Sequence, residues 1–180
     1  MEALSKAELL LLLKKAREHS ERNWLMILMA YCHGLRASEV IGLQRDAIFK
    51  DQLTVARKKG SLRTVHALHT DENPLLNERE NVFAFVASLR EKQRLFPITR
   101  QHFWRLMQRY AEAAGIAPSK RHPHILKHTL AMQTIHSAGI ENVRQYLGHK
   151  SMSSTGAYLK VTDAEAGVAI NTALRGSLAV

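Results

Sequence analysis

Apolar positions along this chain hold a helical period, lose it once near the middle, and then recover it to the end. Ser5 and Glu8 form a capping-box pattern ahead of a leucine run that closes in Lys14, Lys15 and Arg17, which predicts a first helix. Trp24 to Tyr31 is almost wholly apolar and reads as a buried second helix. It ends at "HGLR", where Gly34 can take a positive φ. "ASEVIGL" predicts a third, short helix. The pattern then changes. "AIFKDQLTVARKKGSLRTVHALH" holds β-favouring stretches around Ile48, Leu53 to Val55 and Thr64 to Leu68, separated by "KD" and "KKGS". A small antiparallel sheet of two or three strands is expected there.

After the sheet the helical period returns. Pro74 can open a helix running to about Gln93, and Thr99 can cap "RQHFWRLMQRYAEAA", which Gly115 terminates. A further helix is predicted from about His124 to Ala138, stopped by Gly139, with short pieces at 141–147 and 153–158. Thr162 with Glu165 would cap a last helix. No internal repeat or low-complexity linker interrupts the series. The expectation is one mainly α domain over residues 1–180 carrying a small antiparallel β-sheet, an α+β fold.

Composition narrows the partners. A chain of 180 residues can bury a real core without disulfides or metal. Lys and Arg number 26 against 16 Asp and Glu, a formal net charge of +10. Such a surplus favours a polyanion, nucleic acid first and anionic membrane second, over the plainer reading of solubility charge. Cys32 is the only cysteine, which excludes an intramolecular disulfide and suits a reducing cytoplasm. The N-terminus has no secretory pattern, and "WLMILMAYC" is far short of the ~20 apolar residues of a membrane span.

Candidate chemistry lies in four segments: "GLRASEV" with Arg36, "ARKKGS" with Lys58 and Lys59, "HPHILKHT", and "LGHKSMSSTGAYLKV" with His149 and Tyr158. Taken singly each has a plain explanation: a surface arginine, a solvated hairpin tip, a polar residue after a glycine turn, a half-buried tyrosine. His124 and His128 have the i, i+4 spacing of helical zinc ligands. No glutamate follows the first histidine, however, no cysteine is near, and Lys127 would sit beside any cation, so no metal is expected.

Together, in this order and spacing, the segments resemble the catalytic domain of the tyrosine recombinases, the phage-integrase family, over essentially the whole chain. That family carries an arginine in "G-x-R-x-S/G-E", a lysine in a β-hairpin, "H-x-x-R-H" on a helix, "L-G-H", and a tyrosine nine positions past that last histidine. Arg36, Lys59, His124, His149 and Tyr158 fall on those positions. One position departs: the family's second arginine is Lys127 here.

The resemblance implies site-specific cutting and rejoining of double-stranded DNA through a 3′-phosphotyrosyl link, with no cofactor or metal. It assigns the scissile phosphate to Arg36 and general acid to Lys59, with Lys58 as the alternative if the turn is registered one residue differently. His124 becomes the proton acceptor near the tyrosine, His149 a donor to the phosphate, and Tyr158 the nucleophile. Lys127 keeps charge at the phosphate but loses the planar fork of a guanidinium. His128 is read as a supporting group beside His124, and His122 as lying outside the helix.

The family's separate helical DNA-clamping domain has no room in this chain, which is expected to be either a fragment of a longer recombinase or one of the short recombinases, similar in compactness to those that invert fimbrial promoter elements. A synaptic tetramer on DNA, no membrane partner, and a bacterial cytoplasmic location, at the nucleoid when DNA-bound, follow from the same resemblance. Competing readings are a DNA-binding regulator that kept the fold without the catalysis and a type IB topoisomerase. Arg100, Arg105, Arg109, Lys120 and Arg121 are candidates for phosphate contacts, and Trp104 is expected in the core.

Overall fold

The computed structural model describes residues 2–57, 62–151, 153–156, 158, 168 and 170. Helix α1 (Lys6–His19) starts at Ser5, whose Oγ accepts from the Glu8 amide while the Glu8 carboxylate accepts from the Ser5 amide. Both partners of the capping box are therefore in place. Ser20 ends α1 and caps α2 (Glu21–Cys32) by accepting from the Asn23 amide. Helix α2 is buried on nearly every side, as its unbroken apolar run requires. Trp24, Ile27, Leu28 and Met29 form the centre of the main core, packed by Leu9, Leu12 and Leu13 of α1 and by later helices.

Gly34, at φ +55°, turns the chain out of α2 into the short helix α3 (Ala37–Val40). Strands β1 (Ile48–Phe49), β2 (Gln52–Val55) and β3 (Thr64–Ala67) then pair antiparallel in sequence order. Ile48 faces Leu53 and Val55 faces Thr64 in the register. Helices α4 (Glu78–Val86), α5 (Arg100–Ala113), α6 (His124–Ala138), α7 (Ile140–Tyr146) and α8 (Ser153–Gly156) follow. Thr99 caps α5 by accepting from the His102 amide, and Gly139 closes α6 at φ +83°. The last helix expected after Thr162 lies outside the described residues.

The helix expected from Pro74 is shorter than its sequence pattern. Asp71 and Asn73 hold the chain in side-chain turns, accepting from the Asn73 and Leu75 amides at 2.8 and 3.0 Å. These local bonds compete with helix formation until Glu78. At the other end Arg90 and Gln93 close a turn, and a bridge between Gln44 and Arg94 draws the chain into extended form.

A buried polar chain ties the layers together. His33 Nε2 lies 2.7 Å from the Glu78 carboxylate, His33 Nδ1 lies 3.1 Å from His66 Nδ1, and the Tyr146 ring stacks on His66 at 3.7 Å. Four elements, α4, β3, α7 and the end of α2, meet in these contacts. Burial pushes the His66 imidazole down to about 3, with His33 and Arg57 adding to the effect, so the ring is neutral.

A second, smaller core joins α6 and α7 through Ala131, Ile135, Val143 and Leu147, and it includes Tyr158. Gly148 leads out of α7 at φ +66°, and its carbonyl accepts from the Leu62 amide. A Cβ there would sit 2.6 Å from the Leu62 carbonyl oxygen. Gly148→Ala should lower unfolding stability by at least about 1–2 kcal/mol, the cost of a left-handed non-glycine residue before the clash is added. Urea denaturation measures this, and an unchanged midpoint contradicts the placement of the turn.

Candidate active site

Arg36 stands at the mouth of α3 because Gly34 reverses the chain and buried Leu35 anchors it. Glu39, three residues on and buried, grips Arg36 twice. Its Oε2 accepts from the Arg36 backbone N–H at 2.8 Å, and its Oε1 accepts from Arg36 Nη1 at 2.9 Å.

Helix α6 presents the next group. His124, Lys127 and His128 share one face at helical spacing. The first turn of α6 carries no acidic residue and no side-chain cap, so its amides and positive dipole end suit an anion. His124 is exposed, whereas Lys127 is 2% exposed and its Nζ has no hydrogen-bond partner among the described residues. The His124 and His128 rings meet edge to face at 4.5 Å.

His149 follows the Gly148 turn, and its Nδ1 lies 2.9 Å from Thr155 Oγ1 in α8. The Thr155 carbonyl accepts from the Tyr158 backbone N–H, so one threonine links the histidine and the tyrosine. The Tyr158 hydroxyl lies 3.1 Å from His128 Nδ1. His128, not His124, is the ring that touches the tyrosine; helix spacing alone could not choose between them.

Like charges crowded in a dry place set the protonation states. Burial, then Arg36 and Arg57, pull the Lys127 ammonium down to about 7, with Glu39 opposing. Burial, then Lys127 and the same two arginines, takes His149 to about 4. Burial with His124, His122 and Lys127 takes His128 to about 4, and His124 is lowered as well. Burial raises Tyr158 against the pull of Arg36. At neutral pH His128 and His149 are therefore neutral, the tyrosine keeps its proton, and Lys127 is only partly charged.

The site opens onto a cleft of about 600 Å³ lined by Arg36, Ser38, Arg100, Trp104, His122 and His124. Trp104 is 49% exposed in this cleft and not in the core as its apolar character suggested. Of the other flanking cations, Lys120 is bound to Glu8, and Arg121 to Glu112 and the Ile116 carbonyl. Arg100, Arg105 and Arg109 stay exposed. Lys58 and Lys59 lie outside the described residues. Arg57, which the sequence reading passed over, lies buried beside Glu39.

The phage integrase family model matches residues 2–165. The chain belongs to the phage integrase family. Tyrosine recombinase XerD of Xanthomonas campestris pv. campestris is 34% identical over 160 residues, covering 78% of this chain and 48% of that protein. The chain thus spans about half the length of this curated relative. Among solved structures, XerH recombinase bound to difH substrate in a pre-cleavage complex aligns with a TM-score of 0.74 at 17% identity, covering 93% of this chain and 53% of that one. The catalytic domain of bacteriophage HP1 integrase aligns at 0.70 and 19%, covering 95% and 94%. At these identities the structural likeness establishes the fold, that of integrase catalytic domains: mainly helical with a three-stranded antiparallel sheet.

Lys127 makes the site pH-sensitive in a way that an arginine would not. A lysine whose folded-state pKa falls from 10.5 to about 7 destabilises the fold fully below pH 7, and that penalty fades as pH rises toward 10.5. The stability of the wild type relative to Lys127→Met should therefore rise between about pH 7 and pH 10. Urea unfolding of both proteins at pH 7 and 9.5 measures it, and a difference that stays flat contradicts a buried, unpaired Lys127.

Proposed function

We propose that this chain is a site-specific DNA recombinase that cuts and rejoins double-stranded DNA through a 3′-phosphotyrosyl intermediate, within the cytoplasm and with self-association on DNA. The observation that carries the reading is the Tyr158 hydroxyl held at 3.1 Å from His128, on the site that gathers Arg36, His124, Lys127 and His149. Family membership and the XerD relative support it. The likeness to the HP1 catalytic domain over nearly all of that chain supports reading residues 1–180 as one cutting domain.

In the proposed reaction the Tyr158 oxygen attacks phosphorus, the bond to the 5′-oxygen breaks, and the 5′-hydroxyl leaves with a proton. Arg36 and Lys127 face the non-bridging oxygens, where negative charge grows in the transition state. His149, neutral and positioned through Nδ1 by Thr155, donates from its other nitrogen. Lys59, or Lys58 one residue earlier, protonates the leaving oxygen. His128 accepts the tyrosine proton through the contact seen here, with His124 packed against it.

The same electrostatics keep the resting site quiet. Burial, then His124, His122 and Lys127, makes His128 a weak base, and burial makes Tyr158 a weak acid. A bound phosphodiester brings the missing negative charge, restores a full proton to Lys127 and raises the basicity of the histidines. Cutting is thereby tied to substrate arrival.

A nicked duplex carrying the recombination site, from which the short cleaved piece escapes, should trap a covalent protein–DNA adduct. Tyr158→Phe should abolish the adduct and leave duplex binding within about threefold. An adduct that persists in Tyr158→Phe removes Tyr158 as nucleophile, and no adduct from wild type with firm duplex binding favours a regulator without catalysis.

A further inference from the structure

Arg57 ends in a buried guanidinium whose five N–H donors all have acceptors. Nε donates to Thr64 Oγ1 at 3.2 Å. Nη1 donates to the Gly34 carbonyl at 3.0 Å and to Glu39 Oε2 at 3.3 Å. Nη2 donates to the His33 carbonyl at 2.9 Å and to the Tyr146 carbonyl at 3.0 Å. No donor remains for a phosphate.

The acceptors are not scattered. His33 and Gly34 are the turn directly upstream of Arg36, and Glu39 is the carboxylate that holds both the Arg36 amide and its Nη1. Thr64 belongs to β3, and Tyr146 closes α7 just ahead of the Gly148 turn that delivers His149. Glu39 Oε2 is shared between the Arg36 amide and Arg57, so displacing Arg57 frees the carboxylate to swing and take Arg36 with it. A planar fork can satisfy five acceptors at once, whereas a lysine in this place could satisfy three at most.

We infer that Arg57 is a positioning residue: it sets the guanidinium of Arg36 through Glu39 and never touches the phosphate itself. This rests on the proposed role of Arg36 as a phosphate ligand. It adds a second arginine to the site's working parts in a chain whose α6 carries a lysine where the family pattern has one.

The test uses inorganic phosphate as probe and the side-chain Nε–H signals of [15N]arginine-labelled protein. In wild type, added phosphate should move the Arg36 signal and leave Arg57 in place with slow hydrogen exchange. Arg57→Lys should weaken phosphate binding about tenfold, and Glu39→Gln should do the same. In an Arg36→Lys background, adding Arg57→Lys should cost less than about twofold more.

Equal losses in both backgrounds would show that Arg57 acts independently of Arg36 and would overturn the inference. So would a wild-type Arg36 signal indifferent to phosphate, or an Arg57 signal that shifts with it. If Arg57→Lys does not fold, Thr64→Val removes only the Nε acceptor and should give a smaller loss that again vanishes without Arg36; a loss that survives overturns the inference. Phosphate binding at Arg36 by a protein that never cuts DNA would leave the positioning role standing while ending the recombinase reading.

Discussion

The buried carboxylate of Glu39 is the counter-charge on which the site is assembled. Arg36 and Arg57 both bind it, and it holds the charge of Lys127 up against burial and the two arginines. A carboxylate buried among three cations would be costly alone and so would the cations. Together they leave a net positive, partly dry pocket suited to an anion. The turn at Gly34, the start of α3, the end of β2 and the end of α7 are all brought to this point by the bonds of Arg57. The geometry of the site is thus a consequence of how the protein solves its own charge problem.

That solution also sets the protonation states of the site. Burial first, then the neighbouring charged groups, lowers His128 and His149, and burial raises Tyr158. On the proposed recombinase reading, DNA supplies part of the electrostatics of its own cleavage.

Much of the fold was legible because its signals are local. The Ser5–Glu8 box, the glycine stops at Gly34, Gly115 and Gly139, and the alternation around Leu53 and Val55 each specify their element without distant help. The helix after Pro74 was misjudged because its apolar pattern ran past side-chain turns at Asp71 and Asn73 that only backbone geometry reveals. Of the candidate site residues, Arg36, His124, Lys127, His149 and Tyr158 could be picked out through the resemblance to the family's pattern. The pairing of Tyr158 with His128 could not, because both histidines lie on the same helical face. Arg57 was hidden for a different reason. An arginine beside two lysines in a hairpin looks like solvated charge, and its five acceptors come from four separate parts of the chain. Trp104 misled in the opposite sense, since an aromatic on an amphipathic helix usually faces inward and this one lines the cleft.

Lys127 is where the chain departs from its family's pattern and where the electrostatics concentrate. It supplies charge without a fork, and that charge depends on what occupies the pocket. The central claim, that this lysine works in place of an arginine, is tested by the single-turnover cleavage rate on a nicked duplex bearing the recombination site. Lys127→Ala should slow cleavage by about 10² or more, in line with the loss of one transition-state contact, while Lys127→Arg should match or exceed the wild type. Cleavage by Lys127→Ala at the wild-type rate would make the lysine a bystander and contradict the claim.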